Sequence, residues 1–186
     1  ELTYPPQEHC SISACGDFRD RTIVINGFSK AFAMTGWRIG YAVGPDKIIG
    51  AMNKIHQYAI MSSPTTAQHA AIAALSNGDD AVVEMRNEYN QRRRYVIDAC
   101  RQAGLLSFEP LGAFYAFPNI TATGLSSTEF CERFLKEEKV AIVPGNAFGD
   151  CGEGYVRISY AASMDNIREA MLRLTRFAGR LINQET

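Results

Sequence analysis

Two apolar runs, residues 22–26 and 37–43, bracket a small, polar, turn-prone stretch from Gly27 to Gly36. Short β-branched runs closed by glycine, or by Gly44-Pro45, read as strands, the first of them buried. A chain folded this way must deliver whatever that stretch carries to the end of a strand. It carries Ser29-Lys30, and a lone Arg38 follows eight residues after the lysine, at the start of the second run. Phe28, Phe32 and Met34 surround Lys30 in sequence, and desolvation among them favours the neutral amine, the nucleophilic form that attacks a carbonyl. Ser29 and Arg38 are residue types that hold a phosphate, one by its hydroxyl and one by its guanidinium fork.

The rest of the chain alternates helices and strands. Pro45 suits a first helical turn, and Ile48, Ile49, Met52 and Ile55 follow at helical spacing. A second helix starts at Ser63-Pro64 and stops at Asn77-Gly78; a long third one starts at Asp79 or Asp80 and ends before Gly104. Arg92-Arg93-Arg94 lies on that third helix, and because three consecutive residues cannot share one face the run reads as solvated. Beyond it, residues 106–109, 113–120, 140–143 and 155–160 read as strands. Ser127 and Ser163 read as the caps of two further helices, the first carrying Phe130, Phe134 and Leu135, the second Ile167, Met171, Leu172, Leu174 and Leu181. The expected fold class is therefore α/β. A period of two places Tyr155, Arg157 and Ser159 on one strand face and Val156, Ile158 and Tyr160 on the other. A guanidinium on such a face either grips a carboxylate through two parallel hydrogen bonds or joins a structural ion pair.

Charge excludes some partners. Nineteen Lys and Arg against twenty Asp and Glu leave a formal net charge of −1, with no basic surplus to attract nucleic acid or an anionic membrane. No apolar stretch is long enough for a membrane span. Cys10, Cys15, Cys100, Cys131 and Cys151 form no C-x-x-C pair and His9, His56 and His69 are dispersed, so no metal site is expected. The cysteines read as small buried hydrophobes of a protein in a reducing cytoplasm.

The stretch Gly27-Phe28-Ser29-Lys30, with Arg38-Ile39-Gly40 eight residues on, resembles the lysine-attachment signature of class I/II, fold-type I, pyridoxal-phosphate-dependent aminotransferases. Lys54-Ile55-His56-Gln57-Tyr58 and Ser63-Pro64-Thr65-Thr66-Ala67-Gln68 resemble the helix pair that follows it. Gly112 to Pro118, Val143 to Gly149 and Tyr155 to Ala161 resemble segments of the small domain. The resemblance implies the end of the fold-type I large domain over residues 1–80 and an α/β sandwich small domain over 81–186. It implies that Lys30 forms a Schiff base with pyridoxal 5′-phosphate, that Arg38 and Ser29 hold the phosphate, and that Arg157 holds the substrate carboxylate. One departure is Gly27, where many relatives have a serine, so one phosphate-directed hydroxyl is missing.

By the same resemblance the substrates are an L-amino acid and a 2-oxo acid, and the full-length protein is a homodimer. The Asp-x-x-Tyr pair and glycine-containing phosphate loop of the family would precede Glu1. The expectation is thus a C-terminal portion, inactive alone. Two rival readings stand beside it. Gly27-Phe28-Ser29-Lys30-Ala31 is a near miss to a G-x-S-x-G nucleophile elbow, but it lacks the second glycine, and the downstream histidines fall in predicted helices. An aminotransferase-like module of a transcriptional regulator, binding cofactor or effector, is the other.

Overall fold

The computed structural model describes residues 1–183, and the chain divides into two compact units, the first Glu1–Arg86 and the second beginning at Asn87. In the first, strands β1 (Val24–Gly27) and β2 (Gly40–Val43) pair antiparallel, with Val24 opposite Val43 and Gly27 opposite Gly40. The close approach here depends on Gly40, because a Cβ at this position would lie 2.9 Å from the Asn26 carbonyl oxygen. Helix α1 (Asp46–Ala59) follows Pro45, and α2 (Thr65–Asn77) ends on Gly78, as their punctuation predicts. The strands are shorter than the apolar runs, since Thr35–Trp37 forms a 3-10 turn instead of extending β2. Nor is β1 buried: Ile25 is exposed, as is Val43 on β2. In this two-stranded ribbon neither face of β1 is covered over its full length. Phe28, Met34 and Ala71, with Phe32, Ile39, Ala70 and Ala74 packed on them, form a small buried cluster in this unit.

Helix α3 (Asp79–Gln102) runs from the first unit into the second. It terminates as the sequence predicts, with Gly104 at φ +75° and the Leu105 N–H donating to the Cys100 carbonyl at 2.9 Å. The second unit has a three-stranded antiparallel sheet in the order β3 (Tyr115–Ala116), β5 (Val156–Ser159), β4 (Val143–Pro144). Helices α4 (Ser127–Glu138) and α5 (Met164–Ile182) complete it. The cap of α4 is Ser126, one residue earlier than expected, its Oγ accepting from the Glu129 N–H. Phe130 and Phe134 of α4 meet Phe177 of α5 with ring centroids 5.1 and 5.2 Å apart. Val156, Ile158 and Tyr160 are buried, so the predicted faces of β5 are correct.

Three expectations fail in this unit. Residues 106–109 form no strand, the strand expected at 113–120 shrinks to Tyr115–Ala116, and the one expected at 140–143 shrinks to Val143–Pro144. Leu172 lies 65% exposed, off the buried stripe of α5. Arg93 is not solvated: it is 2% exposed, with Nη1 donating to Glu109 at 2.5 Å and to the Pro110 carbonyl at 3.2 Å, and with Nε and Nη2 donating to Asn90. Arg92 and Arg94 flank it on either side of the buried direction, so one member of the run turns inward. Among the described residues no helix is long and apolar enough to cross a membrane, and no group of three or more metal-ligating side chains occurs.

Candidate functional site

The loop after β1 is closed at its base by backbone bonds. Phe28 N–H donates to the Ile39 carbonyl at 3.3 Å, Met34 N–H to the Phe28 carbonyl at 3.2 Å, and Ala33 N–H to the Lys30 carbonyl at 3.2 Å. Phe28 and Met34 are buried beneath it, and the Phe28 ring lies 5.5 Å from Phe32 and 5.7 Å from Tyr41. Lys30 itself is exposed. This corrects the expected desolvation: the apolar neighbours in sequence anchor the loop from below and do not enclose the amine.

Thr35 ties the loop together. Its hydroxyl donates to the Ser29 carbonyl at 2.8 Å, and its own carbonyl accepts from Arg38 Nη1 at 3.0 Å. Arg38 does not sit on the second strand as expected; it occupies the left-handed region at φ +51°, ψ +49°, two residues before β2. A non-glycine residue in that region costs on the order of 1 kcal/mol, a strain that points to a positional requirement. Ser29, Lys30 and Arg38 are thus brought onto one tied loop. Sequence reasoning passed over Thr35, whose only signal was a hydroxyl in a turn-prone stretch.

The donor set suits a phosphate-bearing aldehyde. An exposed primary amine can reach a carbonyl carbon, and Arg38 spends one N–H on Thr35, leaving the others of its five for an anion. The Ser29 hydroxyl adds a further donor. Pyridoxal 5′-phosphate has the matching groups, so these residues fit it.

Arg157 lies in the second unit, on β5, paired in register with Val143. Its guanidinium carbon stands 4.4 Å from the Tyr115 ring centroid and 4.5 Å from that of Phe148. Its Nε is buried without a hydrogen-bond partner. Among the described residues no carboxylate pairs with it, so the structural ion pair is not what holds it. Two aromatic rings take that role. The guanidinium's hydrogen-bond donors lie in its own plane. A planar carboxylate can meet two such donors at once.

The Phe148 ring is positioned by a fixed turn, Gly145–Phe148. Gly145 N–H donates to the Tyr155 carbonyl at 2.8 Å, and a Cβ on Gly145 would stand only 2.1 Å from the Gly152 oxygen. Asn146 Nδ2 donates to Glu153 at 2.8 Å, and Glu153 also accepts the Ser127 N–H at 2.7 Å. The Ser127 backbone bond is the main reason the Glu153 carboxyl is held below its usual range. Tyr155 stacks on Phe117 at 5.5 Å, and Phe117 meets Phe148 edge-on at 6.2 Å. No local sequence signal marks Tyr115 and Phe148 as rings that meet a cation.

The rival nucleophile reading needs a downstream histidine on a loop, but His56 lies in α1 and His69 in α2. The cysteine expectation is half corrected, since Cys100 and Cys131 are buried but Cys10, Cys15 and Cys151 are exposed.

Residues 7–174 match the family profile described as Aminotransferase class I and II. An aspartate aminotransferase of Pyrococcus abyssi is 49% identical over 92% of this chain and 44% of its own length. An aromatic-amino-acid aminotransferase of Thermococcus litoralis is 46% identical over 93% of this chain and 45% of its own. The crystal structure of an aromatic aminotransferase from Pyrococcus horikoshii superposes with a TM-score of 0.91 at 46% identity, covering 96% of this chain and 48% of that one. The chain therefore spans about half the length of the curated relatives it matches.

Proposed function

The chain belongs to the class I and II aminotransferases, and on that premise we propose that it forms part of an enzyme moving an amino group from an L-amino acid to a 2-oxo acid with pyridoxal 5′-phosphate. The observation that carries this reading is the single loop on which Thr35 ties Ser29 and Arg38 around Lys30. The cofactor, when bound, supplies an electron sink for the substrate's α-carbon. Lys30 Nζ would hold the cofactor's aldehyde and would take the proton from the substrate's α-carbon and return one. Arg38 and Ser29 hold the phosphate. Arg157, fixed between two rings, holds the substrate carboxylate in the plane of its fork.

Residues 1–80 are assigned to the cofactor-binding large domain and 81–186 to the small domain; the two compact units favour that division. Relatives named for aspartate and for aromatic amino acids favour an acidic or aromatic donor. The complete enzyme is assigned as a cytoplasmic homodimer. Because the chain spans about half of its relatives' length, we assign it no activity alone. The relatives' names favour an enzyme over a regulator module.

Borohydride reduction of the complete enzyme with pyridoxal 5′-phosphate tests the assignment. Expected is a reduced cofactor adduct on the peptide containing Lys30, and loss of both adduct and transamination in Lys30→Ala. Full activity in that variant, with no adduct on the parent, would overturn it.

A further inference from the structure

Cys10 and Cys15 lie in an exposed turn with their sulfurs 3.4 Å apart. The backbone makes this meeting. A 3-10 turn over Ile12–Ala14 folds the chain back, with Ser11 Oγ accepting the Ser13 N–H, Ala14 N–H donating to the Ser11 carbonyl at 2.9 Å, and Cys15 N–H donating to the Ile12 carbonyl at 3.2 Å. Both thiols converge on one acceptor, the Ser11 carbonyl, which lies 3.3 Å from Cys15 Sγ and 3.8 Å from Cys10 Sγ. The hydrogen bond with Cys10 is the main reason the Cys15 thiol is pushed above its usual range.

The remaining cysteines are differently placed. Burial pushes the Cys100 thiol up to about 12 and the Cys131 thiol up to about 11, which withholds both from thiolate chemistry. Cys151 is exposed, but among the described residues no other thiol faces it. Only the Cys10–Cys15 turn therefore combines access with a second sulfur in place.

We infer that Cys10 and Cys15 form a reversible dithiol–disulfide site whose co-reactant is a low-molecular-weight disulfide of the glutathione type. One protein sulfur, as thiolate, attacks the co-reactant; its S–S bond breaks and one small thiol leaves. The second protein sulfur attacks the resulting mixed disulfide and releases the other small thiol. The two protein thiols are oxidised to one disulfide, and the co-reactant is reduced to two thiols with the two hydrogens they lose. A bonded pair stands at about 2.05 Å, so closure from the present separation needs a small movement within one turn. The site does not depend on the amino-transfer reading.

The test equilibrates the chain, folded and in urea, with oxidised and reduced glutathione, blocks free thiols and analyses tryptic peptides. No Lys or Arg lies between Glu1 and Arg19, so one peptide contains both cysteines. Expected is that this peptide becomes lighter by two hydrogen atoms, reverts with dithiothreitol, and closes in the folded chain with an equilibrium constant at least about tenfold above that in urea. Cys10→Ser and Cys15→Ser should each retain a stable glutathione adduct on the remaining sulfur. A peptide that stays a dithiol, ends with two adducts, or closes no more readily folded than unfolded overturns the inference.

Discussion

Helices α1 and α5 are both amphipathic, yet they end differently. The second buries Ile167, Met171, Leu174, Phe177, Ala178 and Leu181 within its own unit. The first buries nothing: Ile55 is 72% exposed and Tyr58 88%. Periodicity states which face of a helix is apolar but not whether anything covers it. In the second unit the covering elements lie within the same hundred residues, and the helix stripe, the inner face of β5 and the two phenylalanines of α4 close on one another. In the first unit the Lys30 loop rests on a small cluster, while Ile25, Val43, Ile55, Tyr58 and Ile60 are exposed.

The contrast can be broken most forcefully by cutting away side chains on each side of it. Phe177→Ala should cost about 3–5 kcal/mol in urea unfolding of the second unit, as loss of a buried aromatic does. Ile55→Ala should cost less than about 0.5 kcal/mol; a loss comparable to that of Phe177 would mean that α1 is covered after all. Arg93→Ala comes next, at about 2–3 kcal/mol, because several bonds from a charged donor disappear from a buried position.

Acid tests the second unit through Glu138, which is buried and accepts from Arg176 and Arg180. The Arg176 hydrogen bond leads in holding its carboxyl below the ordinary range, against burial, which raises it. A lowered folded-state value means the stabilisation is complete above the unfolded carboxylate range and is lost as pH falls through the folded value. Thermal unfolding followed from neutral pH to pH 2 should show Glu138→Gln less stable at neutral pH and with a shallower acid decline; parallel curves would remove Glu138 from the account. The smallest effect concerns the ring over Arg157. Phe148→Leu in the complete enzyme should raise KM about 2–5-fold with kcat nearly unchanged, the size of one partly exposed cation–π contact. A fall in kcat at constant KM would show that Phe148 does not act through the carboxylate grip.

What could be read from the sequence was mostly local. Gly104 stops its helix through a left-handed backbone conformation that involves only neighbours. The Ser29, Lys30 and Arg38 constellation is equally local, and its resemblance to the lysine-attachment signature marked it. The environment of Lys30 was misread because apolar neighbours in sequence were taken to enclose the amine, whereas Phe28 and Met34 are buried and Lys30 is exposed. Arg93 was misread because its partners, Glu109 and Pro110, arrive from sixteen and seventeen residues away. Strand lengths in the second unit failed for the same reason: β3 and β4 extend only as far as β5 gives them partners. The meeting of Cys10 and Cys15 required the geometry of one 3-10 turn, which spacing does not reveal.

The contact between Gly145 and Gly152 sets a rule for how this stretch can change. A side chain at either position would strike the backbone of the other, so neither tolerates even a methyl group. Mutational drift should accumulate at the outer residues between them, Asp150 and Cys151, while both glycines persist. A library randomised over positions 145–152 and selected for growth would recover glycine at its two ends and diversity at its tip.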